Sequence, residues 1–190
     1  MSGHIIIVTK EGGAIDQDVT VIREDTDTEL YNEIVELAKS MQITFLWPTD
    51  WKVQTQVFGN NPAYYGTLGL PGHEGVDMRA YTGSPIRAAW GGEVIGNYKG
   101  TAYGWAVKVK AEIRSDIYEM IYAHMLEQSK LTVGQIIKKG DLIGLADSTG
   151  NSTASHLHFT LKKHGATVSG ETKYPNDIID PTNFFEELRD

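Results

Sequence analysis

The chain lacks several features that would fix its chemistry or its location. None of its 190 residues is cysteine, which excludes disulfide bonds and zinc sites built on thiolates. No apolar run approaches the roughly 18 residues that a membrane-spanning helix needs. The apolar residues 5–8 are too few for the core of a signal peptide. The sequence therefore predicts neither a membrane span nor an export signal, and a lack of cysteine fits a secreted protein as well as a cytosolic one.

A run rich in lysine or arginine is also missing, and the formal net charge is −8. Because nucleic-acid affinity comes largely from cations that displace counterions from phosphates, no nucleic-acid partner is predicted. The acidity is uneven along the chain. Residues 1–45 carry three Lys or Arg against nine Asp or Glu, whereas residues 46–190 carry fourteen against sixteen. This difference predicts two units, a small acidic N-terminal unit over 1–45 and a main domain over 46–190.

The N-terminal unit has the pattern of a ββα-like piece. Residues 4–9 and 19–22 are typical of short strands, and residues 28–41 repeat apolar side chains at helical spacing. Thr26 and Glu29 form a possible capping box ahead of this helix. The unit is too small for a full core, and no group in it points to chemistry.

The main domain has the pattern of an antiparallel β domain. After an aromatic and glycine-rich lead-in, where Gly and Pro disfavour a helix, short strands alternate with turn residues. The predicted strands are residues 85–89, 92–95, 105–113, 117–124, 142–146 and 156–162. Hydrophobic and charged fractions of 41% and 22% are those of a soluble globular protein. The predicted fold class is mainly β, and α+β once the N-terminal helix is included.

Two histidines stand side by side on the last of these strands. Side chains two apart on a strand project from the same face, so His156 and His158 share one face. Leu157 and Phe159 then face an apolar layer on the other side. A loop of small polar residues, 150–155, precedes the pair and leaves space at its edge.

A second histidine and a carboxylate occur in a glycine-rich segment, where His73 and Asp77 are four residues apart. Pro71, Gly72 and Gly75 make a helical His-Glu-x-x-His site improbable, so a curled loop is the better explanation. An imidazole and a carboxylate suit Zn²⁺. One further His from the strand pair would give three ligands and an open position, the pattern of a catalytic zinc site.

His124 ends an alternating run in which Tyr118, Met120 and Tyr122 share its face, so it can overhang the same groove. Taken singly, His73 or His124 is more often a hydrogen-bonded structural histidine than a functional one, and His164 has the context of a turn residue. We expect His4 to be a plain surface residue. The five groups His73, Asp77, His124, His156 and His158 together favour a metal site.

Three blocks of the sequence resemble the signature of the lysostaphin/LytM-type zinc endopeptidases. These blocks are GHEGVD at 72–77, YAHM at 122–125 and HLHF at 156–159. Intervening segments match the family as well, including GSPI at 83–86, KGDLIG at 139–144 and STGNS at 148–152. The resemblance covers about residues 66–185 and excludes residues 1–45. Met125 replaces a common Leu and Asp147 a frequent Gly, and neither change affects the metal site.

The resemblance implies a role for each matched residue. His73, Asp77 and His158 would bind Zn²⁺, and His124 and His156 would flank the open position. The family has a narrow groove lined by antiparallel strands, and its members cut peptide bonds in the stems or cross-links of bacterial peptidoglycan. Imidazoles titrate near pH 6.5 and suit proton transfer, so His124 and His156 would orient water and stabilise the oxyanion.

Several alternatives remain beside this interpretation. Tyr103 is a candidate contact to the substrate, and a tyrosine of the core or rim is an equally good explanation. A metal-free relative that binds peptidoglycan or activates another hydrolase would belong to a different functional class, although such relatives lose ligands that this chain keeps. A phage lysin or tail component would explain how a chain without a leader meets the cell wall. In each case the expected site of action is the wall, whether extracellular, periplasmic or virion-associated.

Overall fold

The computed structural model describes residues 5–9, 19–23, 44–113, 116–166 and 177–185. The chain divides into two compact units, Met1–Ile43 and Thr44–Asp190. In the first unit, β1 (Ile5–Thr9) and β2 (Val19–Arg23) pair antiparallel, with Ile7 opposite Val21. The predicted helix over 28–41 and His4 lie outside the described residues. Within the described ranges, no helix is long and apolar enough to cross a membrane.

The second unit is built on an antiparallel sheet, the main sheet. Its described strands are β3 (Gln54–Gln56), β4 (Val76–Arg79), β6 (Gly92–Gly100), β7 (Gly104–Ile113), β8 (Asp116–Met125), β9 (Ile136–Ile137), β11 (His156–Lys163) and β12 (Ile178–Ile179). Their spatial order is β3, β4, β11, β8, β7, β6 and β9, and β12 pairs with β11. A separate pair joins β5 (Pro85–Arg87) to β10 (Leu142–Leu145). The predicted fold class, mainly β and antiparallel, is confirmed.

The core face of the main sheet is the face that carries Tyr122 and Phe159. These two residues are opposite each other on β8 and β11, and their rings pack with centroids 5.1 Å apart. Phe185, at the end of a 3₁₀ turn (Pro181–Phe184), adds a ring 5.8 Å from Phe159. The other face, the site face, carries His158 and its neighbour Ala123.

Strand β11 is buried on both faces, whereas its alternating sequence predicts a half-buried strand. Leu157 and Leu161 on the core face are fully buried, and so is Thr160 on the site face, with Lys162 6% exposed. The reason is that side chains from other elements cover both faces, with Phe185 against Phe159 on the core face and Tyr103 beside His158 on the site face. Polar side chains on its site face must therefore find partners within the protein.

Two expectations for residues 54–79 are wrong. Gly and Pro were expected to exclude a helix from the lead-in, but a one-turn helix, α1 (Pro62–Gly66), forms with proline in its first turn. Proline is tolerated there because the first N–H groups of a helix have no partner within the helix.

Asp77 was expected in a loop and instead lies on β4, opposite His158 of β11. That pairing joins residues 81 positions apart, which local sequence does not reveal.

A buried charge cluster lies on β8 and its neighbours. Glu119 is 4% exposed, and its Oε2 lies 3.1 Å from Lys108 Nζ and 3.2 Å from Lys162 Nζ. Its Oε1 is 2.8 Å from Nδ1 of His164, which the structure places in a turn, as predicted. Burial alone would raise the pKa of Glu119, but Lys108 and Lys162 outweigh burial and lower this pKa to about 2.

We expect Glu119→Gln to lower the free energy of unfolding at pH 7 by about 3 kcal/mol, because the change leaves the buried Lys162 without its counter-charge. The folded pKa of about 2 lies below the ordinary 4.5. The stabilisation is therefore complete above pH 4.5 and is lost as the pH falls towards 2. Urea unfolding at a series of pH values measures this. Glu112→Gln, at an exposed position of β7, is the control, and equal stability of Glu119→Gln and the native chain at pH 7 would refute the prediction.

Candidate metal centre

Three of the sequence-predicted residues meet at one point on the site face. Nε2 of His73 lies 3.0 Å from Nδ1 of His158, and Oδ1 of Asp77 lies 3.2 Å and 3.0 Å from these two nitrogens. All three residues are buried, with exposures of 1%, 6% and 8% for His73, His158 and Asp77. Among the described residues, this is the group that could hold a metal ion.

The backbone positions the three groups from two directions. Asp77 and His158 are cross-strand neighbours on β4 and β11, so their side chains leave the same face of the sheet. His73 precedes β4 and is held by two backbone hydrogen bonds, from its N–H to Asn60 O and from Gly59 N–H to its own carbonyl. Between them, Gly75 passes so close to β11 that a Cβ atom would lie 2.4 Å from the carbonyl oxygen of Phe159. Glycine at this position therefore allows the loop and the strand to meet.

Hydrogen bonds on the far side of each ring orient the two histidines. Nδ1 of His73 lies 3.1 Å from the carbonyl oxygen of Val57, so Nδ1 carries the proton and Nε2 keeps its lone pair. Nε2 of His158 lies 2.9 Å from Oγ1 of Thr160, so Nδ1 is the nitrogen that faces His73 and Asp77. Orienting partners of this kind accompany most metal-binding histidines.

The donor set fits Zn²⁺. Two imidazole lone pairs and one carboxylate oxygen are all acceptors, so a cation between them would satisfy all three. Tetrahedral ligands about 2.1 Å from zinc lie about 3.4 Å from one another, close to the separations found here. Burial would raise the pKa of Asp77, but the facing imidazoles of His156, His158 and His73 outweigh it and hold this pKa far below its usual range. Asp77 is therefore an anion ready to bind a metal.

His124 and His156 lie directly beside this group. Their ring centroids are 4.7 Å apart, and the His124 ring is 5.7 Å from that of His158. Nδ1 of His124 lies 2.7 Å from the carbonyl oxygen of Thr149, and Nδ1 of His156 lies 2.8 Å from that of Ala154. Each ring is thus oriented through Nδ1, and Nε2 of His156 lies 3.4 Å from Oδ1 of Asp77.

The two rings differ in electrostatic environment. Burial, together with the neighbouring His158 and His156, lowers the pKa of His124 to about 4, so its imidazole is neutral at pH 7. Burial also acts to lower the pKa of His156, but its interaction with Asp77, 3.4 Å from Nε2, outweighs burial and raises this pKa.

His124 reaches the site face because of a β-bulge. The prediction that it shares a face with Tyr122 is wrong. Tyr122, expected on the same face, packs on the core face against Phe159. Simple alternation would place His124 there too. The register between β7 and β8 shifts next to His124, whose backbone is left-handed with φ = 61°. The bulge turns the imidazole to the site face, as bulges near active sites commonly do.

A groove runs past the metal centre. A cavity of about 510 Å³ and a smaller adjoining one of about 100 Å³ lie along it, and the smaller one reaches His124 and His158. The residues shared by both cavities are Leu68, Leu70, Glu74, Ala102, Tyr103 and Asn151. The walls are therefore the segment after α1, the β6–β7 turn and the loop before β11.

Tyr103 lines this groove and also belongs to the packed interior. Its ring centroid is 5.7 Å from that of His158, and the residue packs partly buried against Ala106, Ile121 and Ala123. Its hydroxyl donates a hydrogen bond to Oε1 of Glu74. Glu74 is thus engaged by Tyr103 and is not one of the three residues that could hold a metal ion.

Sequence reasoning missed several residues that orient the site. Tyr65 places its ring 5.2 Å from that of His73, and its hydroxyl accepts a hydrogen bond from Gln56. Oγ1 of Thr160 lies 2.9 Å from Nε2 of His158, and no role was predicted for this residue. Its position two residues after His158 on a strand was the available signal, whereas α1, which carries Tyr65, was not predicted at all.

Comparisons with known proteins agree with this geometry. The sequence profile of peptidase family M23 matches residues 71–169. The chain is 36% identical over 94 residues to the glycyl-glycine endopeptidase ALE-1 of Staphylococcus capitis, covering 48% of this chain and 25% of the relative. It is 32% identical over 97 residues to the DD-carboxypeptidase/endopeptidase Mpg of Neisseria gonorrhoeae, covering 51% and 21%. The aligned segment is thus a quarter or less of each relative.

Solved structures extend the similarity to the fold. The catalytic domain of lysostaphin from Staphylococcus simulans superposes with a TM-score of 0.55 at 26% identity, covering 73% of this chain and 92% of that one. A zinc-containing peptidase from Vibrio cholerae gives the same TM-score and identity over 73% of this chain and 39% of that one. The lysostaphin/LytM-type resemblance is confirmed, and the chain belongs to peptidase family M23.

Proposed function

We propose that this chain is a zinc-dependent endopeptidase that hydrolyses peptide bonds in the stems or cross-bridges of bacterial peptidoglycan. The observation that carries the proposal is the convergence of His73, Asp77 and His158, with His124 and His156 beside them in an open groove. Relatives named for glycyl-glycine and DD-endopeptidase activities support the choice of peptide substrate. The bacterial cell wall is then the site of action.

In this proposal, His73 Nε2, Asp77 Oδ1 and His158 Nδ1 hold Zn²⁺. Bound zinc supplies a Lewis acid and lowers the pKa of a coordinated water to near 7. Three protein ligands would leave one position for water or substrate, unlike a structural site that is closed by four ligands.

His124 and His156 carry out the proton chemistry. Their Nε2 atoms border the open position, where they orient the attacking water and stabilise the oxyanion that forms on the scissile carbonyl. One imidazole accepts the water proton and returns it to the leaving amine, so atoms and charge balance over the reaction. Thr149 and Ala154 hold the rings in place through their carbonyl oxygens during this transfer.

The groove binds the peptide. Leu68 and Leu70 form an apolar wall, and the ring of Tyr103 borders the same space close to His158. Tyr103 therefore contacts the substrate through its ring, since its hydroxyl is engaged by Glu74. A metal-free wall-binding module would not need the full set of ligands and flanking imidazoles, so this alternative is not favoured. A phage lysin or tail component carrying the same peptidase is compatible with the site.

The test is to measure the zinc content of the purified chain and the loss of turbidity of cell walls with glycine bridges and with direct diaminopimelate cross-links. We expect one zinc per chain, lysis of at least one wall type, loss of lysis on chelation and recovery when zinc is added back. A chain with no zinc and no lysis of either wall would favour the binding-module alternative.

A further inference from the structure

Two exposed side chains connect different walls of the groove. Nδ2 of Asn151 donates a hydrogen bond to the hydroxyl oxygen of Tyr64, with 3.0 Å between the two atoms. Tyr64 belongs to α1 and is 44% exposed, and Asn151 is an exposed residue of the loop before β11. This pair, the strap, therefore joins the wall formed by α1 to the wall formed by the loop.

The strap borders the cavity that adjoins the metal centre. Tyr64 and Asn151 both line the cavity of about 100 Å³ that reaches His124 and His158. The two histidines are each 6% exposed, whereas both strap residues are exposed. The cavity thus lies between an exposed strap and buried imidazoles. Asn151 also lines the cavity of about 510 Å³, so a peptide that extends through both cavities must pass the strap.

The two ends of the strap are held differently. The backbone N–H of Asn151 donates to the carbonyl oxygen of Ala102 in the β6–β7 turn, at 2.8 Å. Gly150 packs so closely on this turn that a Cβ atom would lie 2.3 Å from the backbone nitrogen of Gly104. In contrast, α1 is a single turn without a buried residue. Elements with few buried contacts move most readily, so the strap opens by movement of α1.

We propose that Tyr64 and Asn151 are specificity-determining residues that limit access of tethered wall peptides to the metal centre. This inference rests on the proposed function, since it takes a peptidoglycan peptide as the substrate. A peptide cross-link in an intact wall is attached to glycan at both ends, so it has no free end to pass beneath a closed strap. The strap must open before such a peptide enters, whereas a peptide released from the glycan can enter by its free end.

Removing the strap should therefore accelerate hydrolysis of intact walls selectively. We expect Tyr64→Phe and Asn151→Ala each to raise kcat/KM for an intact, purified wall by about 2- to 10-fold, the equilibrium value of one hydrogen bond. The kcat and KM for peptides released from the same wall by an amidase should stay native, as should the zinc content. The double variant should match the single variants, because both remove the same hydrogen bond.

Tyr118→Phe is the matched control for the loss of a tyrosine hydroxyl. The Tyr118 hydroxyl lies 3.4 Å from Oδ2 of Asp116, near the end of β8 opposite to His124, so both substrates should be hydrolysed at native rates. Equal effects of Tyr64→Phe on the intact wall and on the released peptides would overturn the inference, as would no effect on either.

Fixing the strap closed is the complementary experiment. The chain has no cysteine, so Tyr64→Cys combined with Asn151→Cys places thiols only at the strap. When a short, reductively cleavable reagent joins the two thiols, we expect hydrolysis of the intact wall to be lost, hydrolysis of released peptides to persist, and reductant to restore the former. Undiminished wall hydrolysis by the cross-linked protein would refute the strap as a barrier. A native chain that hydrolyses neither substrate would instead contradict the proposed function.

Discussion

Replacing His158 by alanine is expected to abolish zinc binding and hydrolysis together. The variant keeps only His73 and Asp77 at the metal position, two ligands where a catalytic zinc site uses three. Loss of several kcal/mol of transition-state stabilisation corresponds to a rate reduction of about a thousandfold or more. Zinc content and the rate of turbidity loss of a susceptible cell wall, measured on the same preparation, test the prediction.

His164→Ala is the matched control for this experiment. His164 lies in the turn after β11 and contacts Glu119 rather than the metal group, so its zinc content and lytic rate should stay native. If His158→Ala retained one zinc per chain and full lysis, the ligand assignment would be wrong. Full zinc with lost lysis would also count against it, because a ligand cannot be removed without a loss of affinity.

Replacing His124 by asparagine is expected to lower kcat by about 10²- to 10⁴-fold while zinc stays bound. This range is the usual contribution of one general acid or base. Asparagine is chosen because it tolerates the left-handed backbone of residue 124 better than alanine, so the loss of the imidazole is separated from backbone strain. Hydrolysis of a purified wall peptide and zinc content are the two measurements.

The pH dependence adds a second criterion for His124. Because burial lowers its pKa to about 4, the imidazole is neutral at every pH above about 5. The ratio of native to variant kcat should therefore stay large and nearly constant between pH 5.5 and 8. A ratio near one, or a zinc content that falls with the substitution, would contradict the role of His124 as a group that acts beside the metal.

Those parts of the fold and site that depend on local periodicity were predictable from the sequence. Alternation along residues 156–162 placed His156 and His158 on one face and Leu157 on the other, and the structure has this arrangement. The ends of β7 and β8 fell within a residue of their predicted positions for the same reason. Clusters of glycine and polar residues marked the turns correctly, since such residues adopt backbone conformations that others avoid.

Features that depend on pairing between distant segments were not predictable. Asp77 was assigned to a loop because the segment from His73 to Asp77 contains glycine and shows little alternation. In the structure, pairing with β11 makes Val76–Arg79 a strand of the sheet. The short helix α1 begins with a proline and is too short to show an amphipathic repeat that would predict it.

Given the proposed role of His124, its left-handed backbone makes residue 124 a position where folding and catalysis would favour different amino acids. Such a conformation in a residue other than glycine costs about 1–3 kcal/mol of folding stability. Selection for activity retains the histidine despite this cost, whereas selection for stability alone does not. Laboratory evolution for thermostability alone would therefore drift towards glycine here and produce a well-folded, inactive protein. Screens of variant libraries of this chain therefore need to measure hydrolysis. Selection for thermal stability alone would remove the histidine that the proposed reaction uses.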